Sequence, residues 1–394
     1  MTWFGAITLV GWLTVVLAAR LLRSATFAMF VGVLVGIYSL VAVGLRSSFD
    51  VVLPLYATLH VIVFVNFLFL SKPRMRRLPY RVLVSWPASF FAGGTLLAWP
   101  WAVAHALGFH PWAPWLPYAL AGVGLVQSLT TKREAVDIVL AAEGESAPKL
   151  GPHPRGQMRE GRPLTIVQIS DPHLGPFMSV ARLRAIAERA VAAKPDLVLL
   201  TGDFLTMESQ SDPDLLLDAL APLRQMPGRV FACHGNHDHE APAIVARAMR
   251  DNGIQLLIDA SADVDTDAGP VQIVGVDFAF RDRRAHLERV CAAHPRKAGA
   301  TRIVLLHDPG AFRHLPEGQA DLVLSGHTHG GQIGLLSLGL GWTFLRLFGD
   351  RIPDHGFWAR GTDRMYVHRG TGHYGFPLRL GVPAEESLLR VHRP

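Results

Sequence analysis

The chain has 394 residues, is 50% hydrophobic and carries a formal net charge of +6. That length exceeds one average domain and predicts two, and two cysteines, Cys233 and Cys291, exclude a disulfide framework. A basic balance can signal nucleic-acid binding, but residues 1–131 hold eight Lys/Arg against one acid, Asp50, leaving 30 basic and 31 acidic residues for the remainder. The excess positive charge therefore lies between apolar runs, where it reads as a membrane-topology signal. No nucleic-acid partner is expected.

Five apolar runs open the chain, at residues 3–19, 26–45, 51–70, 82–107 and 112–129. Most approach the roughly 20 residues needed to cross the hydrocarbon layer, and they lack the polar stripe of soluble helices. Pro87 and Pro100 break the fourth, and Pro111, Pro114 and Pro117 crowd the start of the fifth. No Lys or Arg precedes Arg20, so a cleaved signal peptide is not expected. Trp99, Trp101, Trp112, Trp115 and Tyr118 cluster as an interfacial aromatic belt would. Basic residues alternate between connections. Arg20 and Arg23, then Lys72, Arg74, Arg76, Arg77 and Arg81, then Lys132 and Arg133 fall on one side, and Arg46 on the other. The positive-inside rule then gives five spans, an outside N-terminus and a cytoplasmic catalytic domain. A multi-pass protein of the inner (cytoplasmic) membrane follows, with the lipid bilayer as its partner.

Residues 131–163 are rich in Gly, Pro and charge, and read as a linker with a short helix at 134–142. The expected division is a transmembrane domain at 1–130, the linker at 131–163 and a catalytic domain at 164–394. From Leu164 onward strands and helices alternate. Ser179 caps one helix, Pro242 opens another, and Asn252-Gly253 ends it. Cys233 reads as a small apolar side chain on a core strand. Alternation argues for an α/β fold with ligands at the carboxyl ends of strands.

Five strand ends carry Asp, Asn and His. They are Asp171-Pro172-His173, Gly202-Asp203, Gly235-Asn236-His237-Asp238, His307-Asp308 and Gly326-His327-Thr328-His329-Gly330-Gly331-Gln332. A lone His-x-His is weak; five such ends in this order are specific. The set resembles the calcineurin-like metallophosphoesterases over residues 160–394. The phrasing G-D-F, G-N-H-D, L-H-D-P and S-G-H-T-H-G-G-Q is similar to membrane-associated bacterial phosphohydrolases, a branch that includes a UDP-2,3-diacylglucosamine hydrolase.

That resemblance implies two stacked sheets flanked by helices, with two divalent metal ions at one end. Mn²⁺ is favoured, with Fe²⁺ or Zn²⁺ as alternatives, because no cysteine joins the donors. Asp171, His173 and His329 would hold the first ion and Asp203 would bridge. Asn236, His307 and His327 would hold the second. His237 would protonate the leaving group, and Asp238 would orient it. His234 and His239 read as surface histidines. His368 and His373 are candidate substrate contacts, and residues 281–284 read as a solvated face, with an arginine there as the alternative phosphate grip.

The reading is a membrane-anchored, metal-dependent phosphohydrolase that cleaves a phosphoester or pyrophosphate bond. Its expected substrate is phosphorylated and lipid-linked. The alternatives are a tethered phosphodiesterase or phosphatase with a soluble substrate, and a non-catalytic scaffold or receptor, which the intact ligand set disfavours. The run 333–348 carries a single charge, Arg346, and is too glycine-rich to span. It is either a buried core segment or an apolar flap that receives a lipid chain.

Overall fold

The computed structural model describes residues 2–142, 144–153 and 161–393. It separates into two compact units. The helical unit comprises residues 1–127 with two short later segments, 207–209 and 375–380; the second unit holds the rest.

Two segments of the helical unit are long and apolar enough to cross a membrane, Trp3–Leu22 and the 46-residue Ala25–Leu70. A third results if the helices Leu78–Leu97 and Trp99–Ala106, bent by 50°, act as one span. The five expected spans are therefore not found. The fifth run forms only the 13-residue helix Leu116–Ser128. That is roughly 20 Å at 1.5 Å per residue, short of the ~30 Å hydrocarbon layer. Its three early prolines remove the donors and φ freedom that a longer helix needs.

The 46-residue segment is not a single rod. It turns at Arg46–Val52, where Phe49 leaves helical geometry. Beyond the turn it doubles back, so the Tyr56 hydroxyl donates to Ala42 O (2.9 Å) and the Tyr38 hydroxyl meets His60 Nδ1 (2.8 Å).

Among the described residues, the second unit contains thirteen strands. In chain order they are β1 Thr131–Val139, β2 Ala147–Pro152, β3 Leu164–Ile169, β4 Leu197–Leu200, β5 Val230–Ala232, β6 Gln255–Leu256, β7 Ala260–Thr266, β8 Gly269–Gly275, β9 Thr301–Leu305, β10 Leu322–Ser325, β11 Gly356–Gly361, β12 Asp363–Val367 and β13 Ala384–His392. They form a six-stranded sheet ordered β1-β13-β3-β4-β5-β6 and a seven-stranded sheet ordered β2-β11-β12-β10-β9-β8-β7. The inner faces pack together through Ile166, Leu199, Phe231, Ile273, Leu305 and Leu324. Cys233 is buried in that layer. Helices Val180–Ala192 and Pro242–Asp251 cover the outer face of the first sheet, and Arg283–Ala293 covers the second. Ser179 accepts from Arg182 N as the cap of its helix.

The expected linker is largely strand. β1 pairs in parallel with β13, Thr131 against Ala384, where a helix was expected at 134–142. β2 pairs with β11. The catalytic unit thus begins near Ser128 rather than at 164. Val136 and Ile138 face the core, while Lys132 and Arg133 face outward, and that charged edge masked the strand period. Residues 154–160 of the expected linker lie outside the described residues.

β3, β4 and β5 run parallel, as do β8, β9, β10 and β12. The five motif loops follow β3, β4, β5, β9 and β10, at carboxyl ends.

Candidate metal centre

Two clusters of ligand-type side chains form where the loops meet. One is Asp171, His173 and His329; the other is Asp203, His307 and His327. In the first, His329 Nε2 lies 3.4 Å from Asp171 Oδ1 and 3.2 Å from His173 Nε2. In the second, His307 Nε2 lies 3.3 Å from Asp203 Oδ2 and 3.2 Å from His327 Nδ1. Asp203 Oδ2 is also 3.7 Å from His173 Nε2, so this carboxylate stands between the clusters.

The backbone is held in costly conformations to achieve this. Ten non-glycine residues among those described have positive φ, and five are Asp171, His173, Asp203, His327 and His329. Such left-handed residues cost on the order of 1 kcal/mol each and persist where the surroundings over-determine them. Two glycines make room. A Cβ on Gly235 would lie 2.2 Å from Asp203 Oδ1, and one on Gly326 would lie 2.1 Å from Asp171 Oδ2.

The donors fit cations. Burial pushes the His173 imidazole down to about 3 and lowers His327, so both stay neutral with lone pairs available. Burial opposes charge on Asp203 too, but His307 and His173 hold its carboxyl well below the usual range. Asp203 in turn raises His307 against its burial, so a proton there stands in for a metal's charge. Binding a cation at that nitrogen would release it. The Asn236 Oδ1 is buried and accepts no hydrogen bond, the state of a ligand oxygen without its ion.

His237 sits beside this centre. Its N–H donates to Asp203 Oδ1 (2.9 Å), and its ring stacks on Tyr374 at 4.3 Å. The expected orienting role of Asp238 is not what the structure shows. The fully buried Asp238 carboxylate accepts from the N–H groups of Asp203, Phe204 and Gly235 at 2.8, 2.9 and 2.7 Å. It fastens the Gly202-Asp203 loop to the Gly235 loop. Glu240 takes the other role, with Oε1 2.9 Å from His237 Nδ1. Burial lowers the His237 pKa, but Glu240 and Asp203 outweigh it and raise the imidazole.

Tyr374 and Glu240 were missed from sequence. Tyr374 also lies 5.0 Å from His173. A signal existed, because Gly370, Gly372 and Gly375 crowd its loop; a Cβ on Gly372 would lie 2.1 Å from Pro172 O. His368 is fully buried beneath the site, 3.9 Å from Glu385, and His373 packs on Phe177. Arg283 is tied to Asp308 at 2.7 Å. A groove of about 380 Å³ leaves His327 between Arg313, Leu345, Ile352 and Pro353.

Residues 164–331 match the calcineurin-like phosphoesterase family. The chain carries a calcineurin-like phosphoesterase domain. Phosphodiesterase YaeI of Escherichia coli (strain K12) is 28% identical over 58% of this chain and 82% of its own length. An uncharacterized metallophosphoesterase of Helicobacter pylori is 31% identical over 63% of this chain and 65% of its own. A Danio rerio transmembrane protein with metallophosphoesterase domain is 30% identical over 56% of this chain and 52% of its own. The chain thus spans between about half and four fifths of these relatives. The domain match and the phosphodiesterase name of the Escherichia coli relative support a metal-dependent phosphoester hydrolase. The finer resemblance to UDP-2,3-diacylglucosamine hydrolases is not carried by these matches.

Proposed function

We propose that this chain is a membrane-anchored phosphohydrolase that cleaves a phosphoester or pyrophosphate bond in a lipid-linked substrate. Asp171, His173 and His329 would hold one divalent ion and Asn236, His307 and His327 the other, with Asp203 shared between them and Mn²⁺ the favoured metal. When bound, the pair supplies Lewis acidity and the positive charge that a phosphoryl centre requires. His237 donates the proton to the leaving oxygen. Glu240 fixes its Nδ1, Tyr374 fixes its plane, and its raised pKa keeps the acid form available near neutral pH.

The observation that carries the lipid reading is the run after the metal loop. Leu338, Leu340, Trp342, Phe344, Leu347 and Phe348 are 73, 54, 39, 41, 65 and 69% exposed. A core segment would bury them, whereas a contiguous exposed apolar patch calls for an apolar partner, here the bilayer and an acyl or prenyl chain. The groove beside His327 joins that run at Leu345.

Orientation rests on the helical unit. Arg23 Nη1 donates to Leu70 O, so the ends carrying Arg20, Arg23 and the basic 72–81 connection come together. At the opposite end Arg46 pairs with Asp50. Helix Leu116–Ser128 starts near that end, Tyr118 against Phe49, and runs back along Phe90. The positive-inside rule places the basic end, which carries Arg20, Arg23 and the 72–81 connection, in the cytoplasm.

A soluble phosphodiester is the second reading, favoured by the phosphodiesterase name of the Escherichia coli relative. Replacing Leu340, Trp342 and Phe344 together by Ser separates the two. Activity on a small soluble phosphodiester is expected to persist while activity on a lipid-linked pyrophosphate in vesicles falls at least about tenfold. Unchanged activity on both substrates would overturn the lipid reading.

A further inference from the structure

His234, His239 and Asp277 form a third group of metal-ligating side chains, distinct from the seven residues above. His234 lies at the end of β5, His239 in the short turn Asp238–Glu240, and Asp277 two residues beyond β8 in the other sheet. His234 Nδ1 and His239 Nε2 each lie 3.1 Å from Asp277 Oδ1. For metal–nitrogen and metal–oxygen bonds of about 2.0–2.1 Å, the edge of a coordination tetrahedron is ~3.3 Å. The side chains are thus already near ligand spacing.

The carboxylate of this group is pre-set. Asp277 is fixed independently of the histidines, since its Oδ1 accepts from Phe278 N at 2.9 Å and its own N–H donates to Asp259 Oδ1 at 2.9 Å. The His234 ring, which faces it through Nδ1, is only 4% exposed. Two imidazoles and a pre-set carboxylate are a donor set for Zn²⁺ and its neighbours rather than for Mg²⁺ or Ca²⁺. The His239 side chain is 34% exposed, which gives an ion a path in.

We propose that His234, His239 and Asp277 bind a third divalent cation, with Zn²⁺ best suited to the donors. The ion clamps the loop that carries Asn236 and His237 to the end of β8 in the opposite sheet. Its function is positional, because none of the three side chains belongs to the two clusters around Asp203.

The test counts metal on the full chain in detergent. Protein dialysed against micromolar Zn²⁺ and analysed by mass spectrometry is expected to hold three equivalents, and His239→Ala two. Asp277→Asn is expected to lose the same equivalent. Because His239 is exposed, its variant should unfold at the wild-type temperature in chelator, and should gain less from added Zn²⁺. Equal metal content in wild type and His239→Ala overturns the proposal whatever the total. Loss of all metal from His239→Ala also overturns it, since the residue would then belong to the centre around Asp203.

Discussion

Residues 326–332 and 333–348 are neighbours in sequence and opposites in physics. In the first stretch His327 and His329 adopt left-handed backbone, and the His327 N–H donates to Asp171 at 3.0 Å. Its histidines converge on carboxylates, with His329 buried and His327 part-buried. In the second, Leu338 and Phe348 stand out in the solvent, and Arg346 carries the only charge. Strain is tolerated in one stretch and exposed apolar area in the other. Each departs from what folding alone favours, and the ligands proposed for them differ: cations for the first, an apolar phase for the second.

The largest effect should come from the first stretch's partner, Asp203. Asp203→Asn removes the charge shared between the two clusters, and turnover is expected to fall by at least about 10³-fold, as chelation should also achieve. Phosphodiester hydrolysis assays with and without chelator check this. Full turnover by either preparation breaks the contrast, because the strained loops would then serve no ion. His237→Ala is next. It should lower turnover by roughly 10²–10⁴-fold while both ions stay bound, the usual range for general acid–base catalysis. Metal analysis sharpens the result: loss of an ion would make His237 a ligand.

The metal loops were legible because their signal is local. Each motif follows an apolar strand of six residues or fewer; glycines 235 and 326 mark where backbone and carboxylate approach closely, and Gly202 marks where two loop backbones meet. The α/β class could be read from the same alternation, and the two stacked sheets from the family resemblance. What stayed hidden depends on distance along the chain. β1 exists because Thr131 meets Ala384, and no local pattern among Lys132, Arg133 and Glu134 announces that pairing. Tyr374 reaches His237 from a loop 137 positions on, brought there by the pairing of β12 with β10. Asp238 was assigned to the wrong partner because adjacency to His237 suggests contact, whereas its side chain turns back to three backbone N–H groups. Hydropathy likewise overcounted spans, since it does not register that Leu116–Ser128 is too short.

The smallest expected effect tests the join between the two stretches. Asp354 is fully buried, and its carboxylate accepts from Thr343 Oγ1 at 2.6 Å and from Arg346 at 3.1 and 2.9 Å. Its backbone carbonyl accepts from Thr328 Oγ1 at 2.7 Å, between His327 and His329. One residue therefore ties the apolar run to the metal loop. Removing one partner of a buried pair costs ~3–5 kcal/mol. The lower end applies to Asp354→Ala, because Arg346 retains 16% side-chain exposure and can regain water. Burial raises the Asp354 carboxyl, but His355, Thr343 and Arg346 outweigh it and hold the pKa below the usual 3.8. A depressed carboxyl stabilises the fold above the unfolded value and loses that contribution as pH falls through the folded one. The stability gap between wild type and Asp354→Ala, measured by denaturant unfolding of the unit that holds Asp354, should be full at pH 7 and begin to narrow below about pH 4. Activity on a soluble phosphodiester should drop only a few-fold, since no ligand is lost, and activity on the lipid-linked form should drop further. Equal losses on both substrates would mean that Asp354 serves the metal loop alone and that the apolar run is not held in register with it.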